Sequence, residues 1–166
     1  MDECILSGAM SLKTHVAGQV RTWGYLLDKD LQHVPGAMAT DSPGGKARSP
    51  RSVAIETAVF NDLLLAQAKG ESVDMQAFFG ERMGAYEASC ADTDGVRGAV
   101  SDSVNNLASW IESASEEDLL KEVTAPWGMK MTMADLLLHA SAHMAYHSGQ
   151  VNFVQLLHGD DAMHWM

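Results

Sequence analysis

Apolar residues recur at three- and four-residue spacing along nearly the whole chain, and no alternating run of strand type stands out. This pattern predicts helices joined by loops. The first helix spans about Cys4 to Asp28, with Leu12, Val16, Gln19, Trp23, Leu26 and Leu27 on one face. An irregular stretch follows, from Val34-Pro35-Gly36 through Ser42-Pro43-Gly44-Gly45 to Ser49. Its Pro, Gly and Ser content makes it a loop, and its length makes it a candidate lid or pocket wall. Ser49 as N-cap and Pro50 at the first helical position open a second helix that stops at Gly70, with Val53, Phe60, Leu63 and Leu64 inward. A shorter helix is predicted over about Asp74 to Cys90. The next runs from about Thr93 to Ala114 on a stripe of Val96, Val100, Val104, Leu107 and Ile111. The acidic run Glu116-Glu117-Asp118 reads as a solvated turn or helix start.

The last helix is the most sharply marked. Thr132 and Asp135 form a capping pair, the loop Ala125-Pro126-Trp127-Gly128 precedes it, and Gly159 stops it. Four long amphipathic helices, one additional short helix and no strands predict an all-α four-helix bundle. With 166 residues and no internal repeat, the expectation is one domain over residues 1–166.

Charge narrows the partners. There are 22 acidic against 11 basic residues, a formal net charge of -11, and no basic stripe offsets it. Such a surface repels phosphate, so the expectation is no nucleic acid and no anionic membrane. Cys4 and Cys90, with no metal-type spacing between them, suit a reducing cytoplasm. Met1-Asp2-Glu3 has the wrong charge for a signal peptide, and no apolar run approaches the roughly 20 residues of a membrane span.

The candidate chemistry lies in the last helix, where His139, His143 and His147 recur at four-residue intervals. His143 and His147 fall within about 20° of the stripe made by Leu136, Ala140 and Val154, whereas His139 lies about 60° to one side. Two imidazoles one turn apart can share an ion. Three would have to span about 12 Å of helix, which is poor geometry for one ion. The competing reading is of buried histidines hydrogen-bonded across the bundle. A further ligand must come from a facing helix, and Glu56, set among Val53, Phe60 and Leu63, is the best candidate. A carboxylate there needs a partner, which a metal, a protonated His or an Arg would each supply. The alternatives are a salt bridge to Arg51 or Lys46, or a helix rotated so that Glu56 is exposed. His15 also flanks an inward face. No nucleophile elbow or phosphate-binding loop is present.

The run Thr124-Ala125-Pro126-Trp127-Gly128, Thr132, and His143-x-x-Tyr146-His147-Ser148-Gly149-Gln150 resembles the last helix of the DinB-like and YfiT-like superfamily. Ser49 to Asn61 is similar to its second helix, and Gly159 to Trp165 to tails in one of its branches. The resemblance implies a DinB-like bundle and a homodimer. In metal-binding relatives one His of the second helix and two of the last hold zinc or nickel. The latter two correspond to His143 and His147, but the former position carries Glu56. A His2Glu set is sound zinc chemistry, and it equally fits a branch that has lost its metal.

Two functional readings follow. One is a metal-dependent hydrolase or thiol-dependent S-transferase, with His143, His147 and Glu56 as ligands and His139 or Tyr146 as acid or base. Its nucleophile would be water or a low-molecular-weight thiol such as the bacillithiol or mycothiol that relatives use. The other is a metal-free bundle, either binding a small molecule or serving as a structural homodimer.

Overall fold

A computed structural model describes residues 10–166. Cys4, the opening of the predicted first helix and the Met1-Asp2-Glu3 leader expectation lie outside the described residues. The elements are α1 (Leu12–Gln32), α2 (Gly36–Ala39), α3 (Pro50–Ala68), α4 (Met75–Ser89), α5 (Thr93–Ser113), α6 (Glu116–Leu120), β1 (Glu122–Thr124), β2 (Lys130–Thr132) and α7 (Met133–Leu157).

The helix ends are built by local chemistry. The side chains of Ser11, Ser49, Asp74, Asp92, Ser115 and Thr132 each accept a backbone N–H three residues on, which satisfies an otherwise orphaned donor. Pro50 occupies the first turn of α3, where its missing N–H costs nothing. At the far end of α7, Gly159 has a φ of 85°, and the Asp160 N–H reaches back to the Gln155 carbonyl. That left-handed step disfavours a side chain, which is why glycine stands there.

Helix α1 packs on α5 and α7, and α3 packs on the same two, so the four long helices close into a bundle. Two expectations change. The irregular stretch after α1 contains the short helix α2, and the chain before α7 forms an antiparallel hairpin pairing Val123 with Met131. Strands of three residues are too short to show alternation, so the periodicity of the sequence hides them. The hairpin turn is closed by the Gly128 N–H to the Ala125 carbonyl, with Gly128 at a φ of 89°. The acidic run opens α6 through a reciprocal Ser115–Asp118 capping box.

The buried face of α1 also differs from the predicted one. Val16, Val20, Gly24, Leu27, Asp30 and Leu31 are buried, whereas Trp23 is only half-buried. Gly24 sits where α1 and α5 meet, and a Cβ there would come 2.8 Å from Val104. The glycine therefore sets how closely these two helices approach.

A polar knot joins α1 to α7. Buried Asp30 accepts from Ser148 Oγ and, at 2.9 Å, from Trp165 Nε1, while its backbone carbonyl accepts from Gln155 Nε2 at 2.8 Å. The tail beyond Gly159 thus folds back onto α1, where Trp165 meets Trp23 edge-on and His164 stacks on His33. Burial pushes the Asp30 carboxyl above its usual range, although the Ser148 and Trp165 hydrogen bonds oppose this.

Gly24→Ala should destabilise the protein by about 1–2 kcal/mol, because Val104 is branched and packed. Alanine's helix propensity advantage of roughly 1 kcal/mol over glycine only partly offsets this. In a Val104→Ala background the same change should become neutral or stabilising. Denaturant midpoints of the four chains test the point, and an equal cost in both backgrounds would contradict it.

Candidate metal centre

The adjacency of α3 and α7 brings the predicted residues together. His143 and His147 stand one turn apart on α7, with their Nε2 atoms 3.2 Å apart. Glu56 reaches across from α3, with one carboxylate oxygen 3.8 Å from His143 Nε2 and the other 3.8 Å from His147 Nε2. His147 is 1% exposed, while the side chains of His143 and Glu56 are about one-fifth exposed. The arrangement is therefore closed toward the core and open on one side. These three donors form a group able to hold an ion. The other histidine weighed, His15, is exposed on α1 and is not among them.

Tautomers follow from the hydrogen bonds. His147 Nδ1 lies 2.8 Å from Gln150 Oε1, which can only accept. The proton therefore sits on Nδ1, and Nε2 turns a lone pair toward Glu56 and His143. Burial pushes both imidazoles down to about 4, with the nearby Arg48 charge adding to the effect, so both are neutral near pH 7. Neutral imidazoles are the form that binds metals. His143 Nδ1 is buried and has no hydrogen-bond partner.

Glu56 is paired with Arg48, which lies on the segment just before α3. The sequence pointed to Arg51 or Lys46 instead. Arg51 sits five residues from Glu56, about 140° around the helix. It points the other way and donates to the carbonyls of Glu87 and Cys90 near the end of α4, at 3.0 and 2.7 Å. A helix C-terminus favours such a cation.

Aromatic rings wall the site. Phe60 lies against His143 at 4.3 Å between ring centroids, Trp127 lies against Phe60, and His139 packs on Trp127 at 5.1 Å. His139 Nδ1 lies 2.9 Å from the Asp135 carbonyl. Tyr146 is 63% exposed, and its ring edge meets His147 at 5.2 Å. Beside the triad is a cleft of about 440 Å³ walled by Pro43, Ala47, Arg48, Tyr146, Gln150 and Phe153, among others. The irregular stretch is thus a pocket wall, as its length suggested. A larger groove of about 740 Å³ runs between α1 and α5. Its arginines are already paired, Arg97 with Asp28 and Arg21 with Glu112.

Arg48, Gln150 and Phe60 were not singled out as site residues by the sequence. Gln150 had a usable signal, because it lies three residues after His147 on the same helical face. Arg48 had none, since its partner is eight residues away across a loop-to-helix junction.

Because both imidazoles titrate near 4 when folded and near 6.5 when unfolded, the unfolded chain binds more protons between these values. Their contribution to stability is present above pH 6.5 and is lost as pH falls through 4. Urea unfolding in chelator should therefore show a loss on the order of 5 kcal/mol from pH 7 to 4.5, shared by the two rings. The H143Q/H147Q variant should lack that loss. Asp30 and Asp62, whose carboxyls are raised by burial, act with the opposite sign, so the difference between the two chains is the quantity to measure. Identical pH slopes would show that the imidazoles are not held neutral.

The DinB family model matches residues 86–159, a segment that holds both site histidines but not Glu56. No curated protein matches the sequence. Among solved structures, the colibactin self-resistance protein ClbS in complex with dsDNA is similar at 17% identity and a TM-score of 0.68, covering 87% of this chain and 95% of its own. The mycothiol-dependent maleylpyruvate isomerase is similar at 19% identity and a TM-score of 0.65, and a mutant of it at 20% and 0.64. Each covers 86% of this chain, which spans only 61% of that enzyme. The ClbS complex overturns the exclusion of nucleic acid drawn from net charge, because a bundle of the same fold is seen with a DNA duplex. Net charge sums over the whole surface, whereas phosphate contacts depend on local potential. Residues 86–159 thus match the DinB family model, and over most of its length the chain has the same helical-bundle fold as these solved structures.

Proposed function

We propose that this protein is a metal-dependent hydrolase or thiol-dependent S-transferase, with His143, His147 and Glu56 holding one divalent ion, zinc or nickel. The observation that carries the reading is the convergence of two imidazole Nε2 atoms, 3.2 Å apart, on a carboxylate 3.8 Å from each. A tetrahedral ion with bonds of about 2.0–2.1 Å spaces its ligand atoms about 3.4 Å apart, so the donors need to move only a few tenths of an ångström. Their chemistry fits as well, with two neutral imidazoles and one anion.

The residues around the donors have separate tasks in this reading. Gln150 holds the His147 tautomer, which is the usual service of a group hydrogen-bonded behind a ligating imidazole. Phe60 and Trp127 keep water from the core side. Tyr146 borders the cleft and is the better placed of the two acid–base candidates, whereas His139 buttresses the aromatic wall. A bound ion supplies Lewis acidity, which lowers the pKa of a water or thiol nucleophile. The mycothiol dependence of the maleylpyruvate isomerase favours a low-molecular-weight thiol as co-substrate. Cys90 is a buried free thiol, which suits a reducing cytoplasm. Among the described residues no helix is long and apolar enough to cross a membrane.

Protein purified without chelator and reconstituted with zinc or nickel should retain about one ion per chain by elemental analysis. Glu56→Ala removes a ligand and should weaken retention by more than the roughly 10–100-fold that losing a group behind a ligand costs, and His147→Ala should abolish it. Retention should persist at pH 5.5, where ordinary histidines are protonated, because the ring pKa values lie near 4. No bound ion in any preparation, or undiminished uptake by His147→Ala, would sink the reading in favour of a metal-free ligand-binding bundle.

A further inference from the structure

We propose that Arg48 is an anion anchor controlled by the ion, so that the cleft selects small molecules with an anionic group on an apolar body. The inference rests on the metal reading above and deepens it. With no ion bound, Arg48 and Glu56 neutralise each other in a half-buried setting, and the two imidazoles add nothing. A divalent ion held by Glu56 changes this sum. Two charges of the ion and one of Arg48 then face a single carboxylate, an excess of two positive charges where water is partly excluded.

Like charges so close repel strongly in a medium of reduced polarity. Of the participants Arg48 alone is free to leave. Its side chain is 44% exposed, it lies on the segment before α3, and Gly44 and Gly45 with positive φ precede it. The ion competes with Arg48 for the same carboxylate oxygen, the one also nearest His147 Nε2. The open side on which Arg48 already lies is the cleft.

The walls of that cleft say what would follow the arginine there. Pro43, Ala47, Tyr146, Phe153 and Val154 are uncharged and mostly apolar, and among the described residues Arg48 is the one charged residue lining it. An anionic head on a guanidinium, with an apolar body against Tyr146 and Phe153, satisfies both features. A monoanion also halves the excess charge that the ion brings. Ion and anion should therefore bind with positive cooperativity, and neither should bind the protein as well alone.

The probes are zinc alone, then 3-phenylpropionate against the matching neutral alcohol, 3-phenylpropan-1-ol, each titrated by calorimetry into the full chain. Zinc loading should tighten the carboxylate about tenfold or more and leave the alcohol unchanged. Arg48→Gln should bind zinc several-fold tighter, having lost the competing cation, and should lose the zinc-dependent gain in carboxylate affinity. Arg48→Lys should keep part of that gain, since the charge remains without the two-pronged geometry. If Arg48→Gln keeps the full gain, the carboxylate sits on the ion itself and the proposal fails. Weaker zinc binding by Arg48→Gln would make the arginine a support of the site and overturn the competition. Zinc binding with no effect on the carboxylate ends this inference alone, whereas failure of the unmodified protein to take up zinc removes both.

Discussion

A carboxylate placed inside a helical bundle imposes a condition that the surrounding structure has to meet. Glu56 leaves most of its hydration behind on α3, and an uncompensated charge there would cost several kcal/mol. The chain meets this with Arg48 from the adjoining segment and with two neutral imidazoles on α7, of which His147 turns the lone pair of Nε2 toward the site. One cation suffices for one anion. The histidines are thereby left neutral and free to serve as ligands. The same condition gives the irregular stretch before α3 its place, since that stretch must carry the arginine to the carboxylate.

Neutral imidazoles are useful only if α7 keeps its rotation. That is set from the opposite side of the bundle. Asp30 holds Ser148, the residue immediately after His147, and its carbonyl holds Gln155 two turns further on. A step of one residue turns a helix by about 100°, so fixing Ser148 toward α1 fixes His147 toward α3. Burying a second carboxylate is the cost of this arrangement, and the Ser148 and Trp165 donors reduce it.

Much of this was legible in the sequence, for identifiable reasons. Ser49-Pro50, Thr132 with Asp135, and Gly159 act through local hydrogen bonding and backbone freedom, so the start of α3 and both ends of α7 fell within a residue or two of prediction. Helical periodicity put His143 and His147 inward together and His139 to the side. The buried face of α1 was less legible, because Gly24 and Asp30 are buried for reasons hydropathy does not register: one by having no side chain, the other by its partners. Arg48 was invisible for a third reason. Its role depends on how a loop returns to a helix, which spacing along the chain does not encode. Net charge misled about nucleic acid because it carries no information on where charges sit.

The Asp30 knot separates two kinds of change that a chain of this design can undergo. The rotation of α7 is held by a helix that contributes no donor to the site, while the third donor comes from α3. Position 56 can therefore be exchanged, carboxylate for imidazole or for an inert side chain, without loosening the frame that presents the other two. On the proposed metal reading such a bundle is modular: one substitution, with a matching change at position 48, would turn one kind of centre into another or into none on an unchanged scaffold. Chains alike in fold but unlike in chemistry are the natural outcome of that separation.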